Sequence, residues 1–125
     1  MRSGVREIAS VAAIFGAAAV VFGAFGAHAL RGKLDPTSMQ VWHTAVEYQF
    51  WHVLALLAIA ALAGESMSPL WRIAAIAFVA GIIAFCGSLY ALALGAPHMI
   101  GAITPLGGLC LIVGWLSLGL ALARR

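Results

Sequence analysis

At 125 residues, with 64% apolar and only 9% charged side chains, this chain excludes a soluble globular domain, which sits near half apolar and about a quarter charged. The net charge of +3 rests on seven basic residues set near the ends of apolar runs, and these make no stripe for nucleic-acid phosphates. Cys86 and Cys110 both fall inside apolar runs and form no C-x-x-C pair, so they read as small hydrophobes rather than as a redox or zinc motif.

The first apolar run, Ile8 to Leu30, passes without an acidic or basic side chain other than His28. A bilayer core about 30 Å thick needs about 20 apolar residues at about 1.5 Å each, so this run predicts a membrane span. A signal peptide is the rival reading, because Arg2 and Arg6 precede the run and Ala27-His28-Ala29 resembles a cleavage site. The run exceeds the about 7–15 residues of a signal core, which favours the span.

The second helix is predicted over 36–63. Asp35 suits an N-cap and Pro36 the first helical position, while Gly64 stops the helix. The third is predicted over 69–94, from Ser68-Pro69 by the same logic. The fourth is predicted over 105–123, from Thr104-Pro105. Short connections make neighbours antiparallel. The expectation is one all-α domain, 1–125: an integral membrane four-helix bundle of up-down topology. The two halves carry a faint hint of a duplicated hairpin, too weak to press.

Orientation follows from Lys and Arg near the span ends. Arg2, Arg6, Arg72, Arg124 and Arg125 share one side, and Arg31 and Lys33 lie on the other. Five against two predicts both termini in the cytoplasm of a bacterial inner membrane.

Small residues recur at three- and four-residue steps. Ala12, Gly16, Ala19, Gly23 and Gly26 do so in the first span, and Ala77, Gly81, Ala84, Ser88, Ala91 and Gly95 in the third. Gly107, Cys110, Gly114, Ser117 and Ala121 do so in the fourth. Such seams let helix backbones approach where lipid supplies little hydrophobic drive. The glycines placed at packing contacts are Gly16, Gly23, Gly26, Gly81, Gly87, Gly107 and Gly114.

Polar residues gather in the outer half of the predicted bundle. The candidate cluster is His28, His43, Glu47, Tyr48, His52, Ser88, Tyr90 and Thr104, with His98 in the outer loop. An ionisable group in a span costs about 2.5–3.5 kcal/mol on insertion scales and turns toward the bundle interior or a wet cavity. Glu47 and His52 are therefore the informative pair, expected to face inward and to bond Tyr90 or Ser88. His43 and Glu47 share one face, and Tyr48 and His52 share another about 100° away. A metal held by His28, His43, His98 and Glu47 lacks any fixed ligand spacing. A haem between His28 and His52 would need ligands at matching depth, which these are not. No metal or cofactor is expected. Trp42, Trp51, Trp71 and Trp115 read as interfacial anchors or packing.

Phe25-Gly26-Ala27-His28-Ala29-Leu30, then Trp42 to Tyr48 and His52, Gly87-Ser88-Leu89-Tyr90, and Thr104-Pro105-Leu106-Gly107-Gly108 follow one another in this order. Together they resemble the domain-of-unknown-function 423 family, also called uncharacterised protein family 0382, over nearly the whole chain. The resemblance implies a small multi-pass bacterial membrane protein with no established activity, and it lends no catalytic residues. The functional expectation is a structural, assembly or interaction subunit, partnered by the bilayer and by copies of itself or a larger complex. A carrier of ions or small molecules, or a metal-binding membrane protein, using the outer polar cluster is the alternative. An enzyme is not expected, because no nucleophile–base pair, phosphate-binding glycine loop or carboxylate dyad is present.

Overall fold

The computed structural model describes residues 3–65 and 67–125. Arg2, counted above for orientation, lies outside the described residues. Among the described residues, four helices are long and apolar enough to cross a membrane. They are α1 (Ser3–His28), α2 (Pro36–Leu62), α3 (Pro69–Ala93) and α4 (Ile103–Ala123). The protein is an all-helical membrane bundle.

The helix ends follow local chemistry. At α2 the Asp35 carboxylate accepts from the Ser38 backbone N–H at 2.7 Å, with Pro36 in the first turn. That N–H holds the Asp35 carboxyl below its ordinary value. Gly64, in the left-handed region at φ +79°, follows the end of α2, where a side chain would be strained. Ser68 stands at the N-cap of α3 without a side-chain cap bond. α1 begins at Ser3, earlier than its apolar run, because Arg6 and Glu7 continue the helix on its exposed side. α4 also begins before its predicted start: a 3-10 turn, His98–Ala102, leads into it and Ala102 is its N-cap. Thr104 is therefore inside the helix rather than capping it.

α3 contains a feature that the sequence does not announce. Ile82–Cys86 forms a π turn between α-helical stretches Pro69–Gly81 and Gly87–Ala93. A π turn widens the helix by about one residue and shifts the phase of everything beyond it. Buried positions accordingly run Phe78, Ile82, Cys86 and Ala93. Of the small-residue seam drawn from Ala77 to Gly95, Gly81 and Ser88 are buried against α4, whereas Gly95 is exposed in the loop.

α1 lies along α2, α3 along α4, and the two hairpins join through α2 against α3. The main core packs Leu56 and Ile59 of α2 with Phe78 of α3 and Leu111 of α4. A smaller cluster of Leu30, Trp42 and Ala93, backed by Phe22 and Tyr90, closes the end that carries the two hairpin loops. Shallow grooves run between the helices, among them these two. One of about 400 Å³ lies between α1 and α3, floored by Val11, Ala75 and Val79. The other, about 530 Å³, lies between α2 and α4, walled by Tyr48, Trp51, Phe85, Leu111 and Trp115. Outward side chains such as Ile14, Ile76 and Leu116 are apolar and about two-thirds exposed, as a lipid-facing surface requires.

Candidate functional site on the inward face of the second helix

α2 buries a stripe of Trp42, Ala45, Gln49, His52, Leu56 and Ile59, with Val53 and Ala55 buried beside it. The steps of three and four keep these residues on one face. Three of them carry polar side-chain atoms, and between them they bond all three other helices.

The Trp42 indole N–H donates to the Phe22 carbonyl of α1 at 2.8 Å. Gln49 is a two-sided bridge. Its amide N–H donates to the Phe15 carbonyl of α1 at 2.8 Å, and its amide oxygen accepts from the Tyr90 hydroxyl of α3 at 2.7 Å. His52 reaches α4: its Nε2 accepts from the Trp115 indole N–H at 2.9 Å. The indole nitrogen is only a donor, so Nε2 is unprotonated. Nδ1–H then donates to the Tyr48 carbonyl at 2.6 Å. Both ring nitrogens are occupied, and the neutral tautomer is fixed by its partners.

A further pair ties α3 to α4. Ser88 is buried, and its Oγ lies 2.6 Å from Thr104 Oγ1 and 2.9 Å from the Phe85 carbonyl. Only the Ser88 hydroxyl can donate to that carbonyl, which leaves Thr104 as donor to Ser88. Among the described residues, no buried side-chain nitrogen or oxygen lacks a partner.

Of the sequence-predicted cluster, His52, Tyr90, Ser88 and Thr104 thus take part in bonds between helices. Tyr48 contributes its carbonyl to His52 and its ring to Phe85 at 4.7 Å. His28, His43 and Glu47 do not join them; all three are exposed, as is His98. The inward expectation for Glu47 is corrected. It stands two residues, about 200° around the helix, from Gln49, and Gln49 holds the inward position and the bond to Tyr90. No three His, Cys, Asp or Glu side chains gather as a metal site among the described residues.

Gln49 is the residue that the sequence reading missed. A signal was present: it stands seven residues after Trp42 and three before His52, in phase with both. Attention to pairs four apart, His43 with Glu47 and Tyr48 with His52, obscured that register.

The glycines divide in the same concrete way. A side chain on Gly107 would fall on the Phe85 backbone, one on Gly81 on Leu111, one on Gly114 on the Phe78 ring, and one on Gly26 on the Trp42 indole. Gly16 and Gly23 have looser neighbours, Val53 at 3.3 Å and Val46 at 3.4 Å from an added Cβ. Gly87 is exposed, with nothing within 4 Å, so its place among the packing glycines is corrected.

The family description "Protein of unknown function (DUF423)" matches residues 22–108. The chain belongs to the DUF423 family. It is similar to the UPF0382 membrane protein YwdK of Bacillus subtilis, 42% identical over 85% of this chain and 87% of that one. A UPF0382 membrane protein of Staphylococcus haemolyticus is 48% identical over 77% of this chain and 78% of its own. One of Haemophilus influenzae is 38% identical over 87% of each. No solved structure matches significantly. The DUF423 match takes in Trp42, Gln49, His52, Ser88, Tyr90, Thr104 and Gly107, while Phe15 and Trp115, which complete two of the bonds, lie beyond it.

Proposed function

We propose that this chain is a structural or assembly subunit of the bacterial cell membrane, and that it performs no catalysis of its own. The observation that carries this reading is the saturation of its inward polar groups. Gln49, His52 and Ser88 are bonded within the bundle, and no buried polar atom is left to hold an ion or a substrate among the described residues. Such bonds fix which helix faces which and at what register, which is what polar groups supply when lipid gives helices little reason to associate. A carrier needs polar groups along a path. Here the half of α2 from Val53 to Ala63 is wholly apolar, and so is the groove between α1 and α3 apart from Glu7 at its end.

The orientation we propose puts both termini in the cytoplasm. Arg6, Arg72, Arg124 and Arg125 lie toward the end that carries the termini, against Arg31 and Lys33 at the other. Reporter fusions after Arg125 and at Lys33 read this directly, and periplasmic activity after Arg125 contradicts it.

Native mass spectrometry of the full chain from mild detergent tests the functional reading. The expected spectrum shows protein assemblies without bound small molecules. A metabolite or metal that co-purifies, and is lost in Trp115→Phe, would replace this reading with a carrier that uses the groove between α2 and α4.

A further inference from the structure

α1 packs along α2 and leaves an open groove against α3. The hollow floored by Val11, Ala75 and Val79 reaches Ile83, and there it runs on into a second hollow of about 240 Å³ that Phe15 and Ala18 line from α1. From Glu7 to Ala18 the groove follows α1 for about 16 Å, and one leaflet of a hydrocarbon core about 30 Å thick is about 15 Å deep. Its length is that of one leaflet.

The end of the groove nearest the termini is charged. Glu7 lines it from α1, and is the last charged residue before the apolar run from Ile8. On α3, Arg72 precedes Ile76, Val79 and Ile83 by four, seven and eleven residues, steps that keep one helix face, so it stands on the groove side. Ile73 opens the apolar run beyond it. Gly4, one turn before Glu7, has nothing within 4 Å of an added Cβ, so this end stays open. The Arg72 Nε–H donates to the Met67 carbonyl at 3.4 Å. Among the described residues, its other N–H groups and the Glu7 carboxylate have no partner. A cation and an anion therefore flank the mouth of an apolar groove without pairing.

We propose that this groove binds one zwitterionic phospholipid with a primary ammonium, of the phosphatidylethanolamine type. An acyl chain lies along the groove, the phosphate meets Arg72, and the ammonium donates to Glu7. The argument is charge complementarity. A glycerol headgroup satisfies Arg72 but brings no cation to Glu7. A choline headgroup carries both charges, but its quaternary nitrogen has no N–H for the carboxylate, and charge-assisted hydrogen bonds are the strong ones. The inference goes beyond the assembly reading and does not depend on it. Detergent exchanges freely with lipid in an open groove, so the test belongs in a bilayer.

The full chain with Cys86→Ala and Cys110→Ala, carrying a bimane on Ile76→Cys in the groove or on Leu116→Cys on α4, is reconstituted in vesicles. Both positions are 69% exposed. Lipids with a nitroxide on the acyl chain, in ethanolamine, choline and glycerol forms, act as quenchers. At Ile76→Cys the ethanolamine lipid is expected to reach half-quenching at about two- to fivefold lower content than the choline lipid, the range of one exposed ion pair. The glycerol lipid should be the weakest. At Leu116→Cys the three should be equal. Glu7→Gln should remove the preference for ethanolamine, and Arg72→Gln should weaken quenching by all three lipids at Ile76→Cys. Both side chains are exposed, so melting should not move in these variants. Equal quenching by the three lipids at Ile76→Cys, or a preference that survives Glu7→Gln, overturns the proposal. So does a bimane at Ile76→Cys that no lipid quenches, since a protein segment would then fill the groove.

Discussion

The two hairpins of this protein solve one problem with different balances of the same two devices. α3 and α4 meet through close approach: Gly107 admits the backbone of Phe85, Gly81 admits Leu111, and Gly114 admits the ring of Phe78. α1 and α2 have more room at Gly16 and Gly23, approach closely only where Gly26 admits the Trp42 indole, and are pinned by hydrogen bonds from Trp42 and Gln49 to carbonyls of α1. In lipid neither hairpin has the hydrophobic effect to press its helices together. One gains dispersion contacts through the absence of side chains. The other offers donors to carbonyls along a helix whose own ladder leaves their second lone pairs free. The lesson is that glycine spacing marks candidate seams, but the neighbour's shape decides which of them are tight.

The sharpest way to break this comparison is a matched pair of alanines. Gly107→Ala forces a methyl into the Phe85 backbone, and overpacking of this kind costs about 1–3 kcal/mol. Gly23→Ala meets only ordinary contact with Val46 and gains helix propensity of about 0.5–1 kcal/mol, so its melting temperature should hold or rise. Thermal unfolding in one detergent compares them. Equal losses would erase the distinction between the hairpins.

Next in size is Gln49→Leu. It strands the Tyr90 hydroxyl, and a buried polar group left unpaired costs about 1–3 kcal/mol. The same assay reads it, and an unchanged melting temperature would mean that α1 is not held by this bridge. His52→Asn keeps a polar side chain but loses the reach to Trp115. A hydrogen bond between membrane helices averages about 0.6 kcal/mol, so α4 should loosen without unfolding, seen as faster amide exchange in α4 than in α1. The smallest effect belongs to Asp35. Asp35→Ala should fray the first turn of α2, visible as local exchange, whereas Asp35→Asn should keep the cap. Since its folded pKa is lowered, the contribution of the cap is present above the ordinary aspartate range and is lost as pH falls through the lowered value.

Much of the fold was legible because membrane spans are written in length and composition. The runs from Pro36 and Pro69 were placed to within a residue or so by cap chemistry. The start of α4 was not, because Thr104 looks like a cap while its hydroxyl is used by Ser88 across the helix pair. The π turn at Ile82–Cys86 was invisible too: its residues are the same apolar and small types that fill the rest of the span, and no local signal marks the change of pitch. In the polar cluster, His52 was found by its depth in the span. Glu47 was misassigned because cost arguments say that a carboxylate wants a partner, but not on which side of the helix the partner stands. Register answers that, and the register of Trp42, Gln49 and His52 was there to be counted.

The central claim is that the inward polar residues serve one another. A double-mutant cycle between Gln49 and Tyr90 tests it most directly. Unfolding free energies are measured in mixed micelles for Gln49→Leu, Tyr90→Phe and the double variant. If the two groups are partners, removing the second after the first costs little more, and the double variant loses less than the sum by about 0.6 kcal/mol or more. Strictly additive losses would show that the two side chains act independently, and would contradict the account.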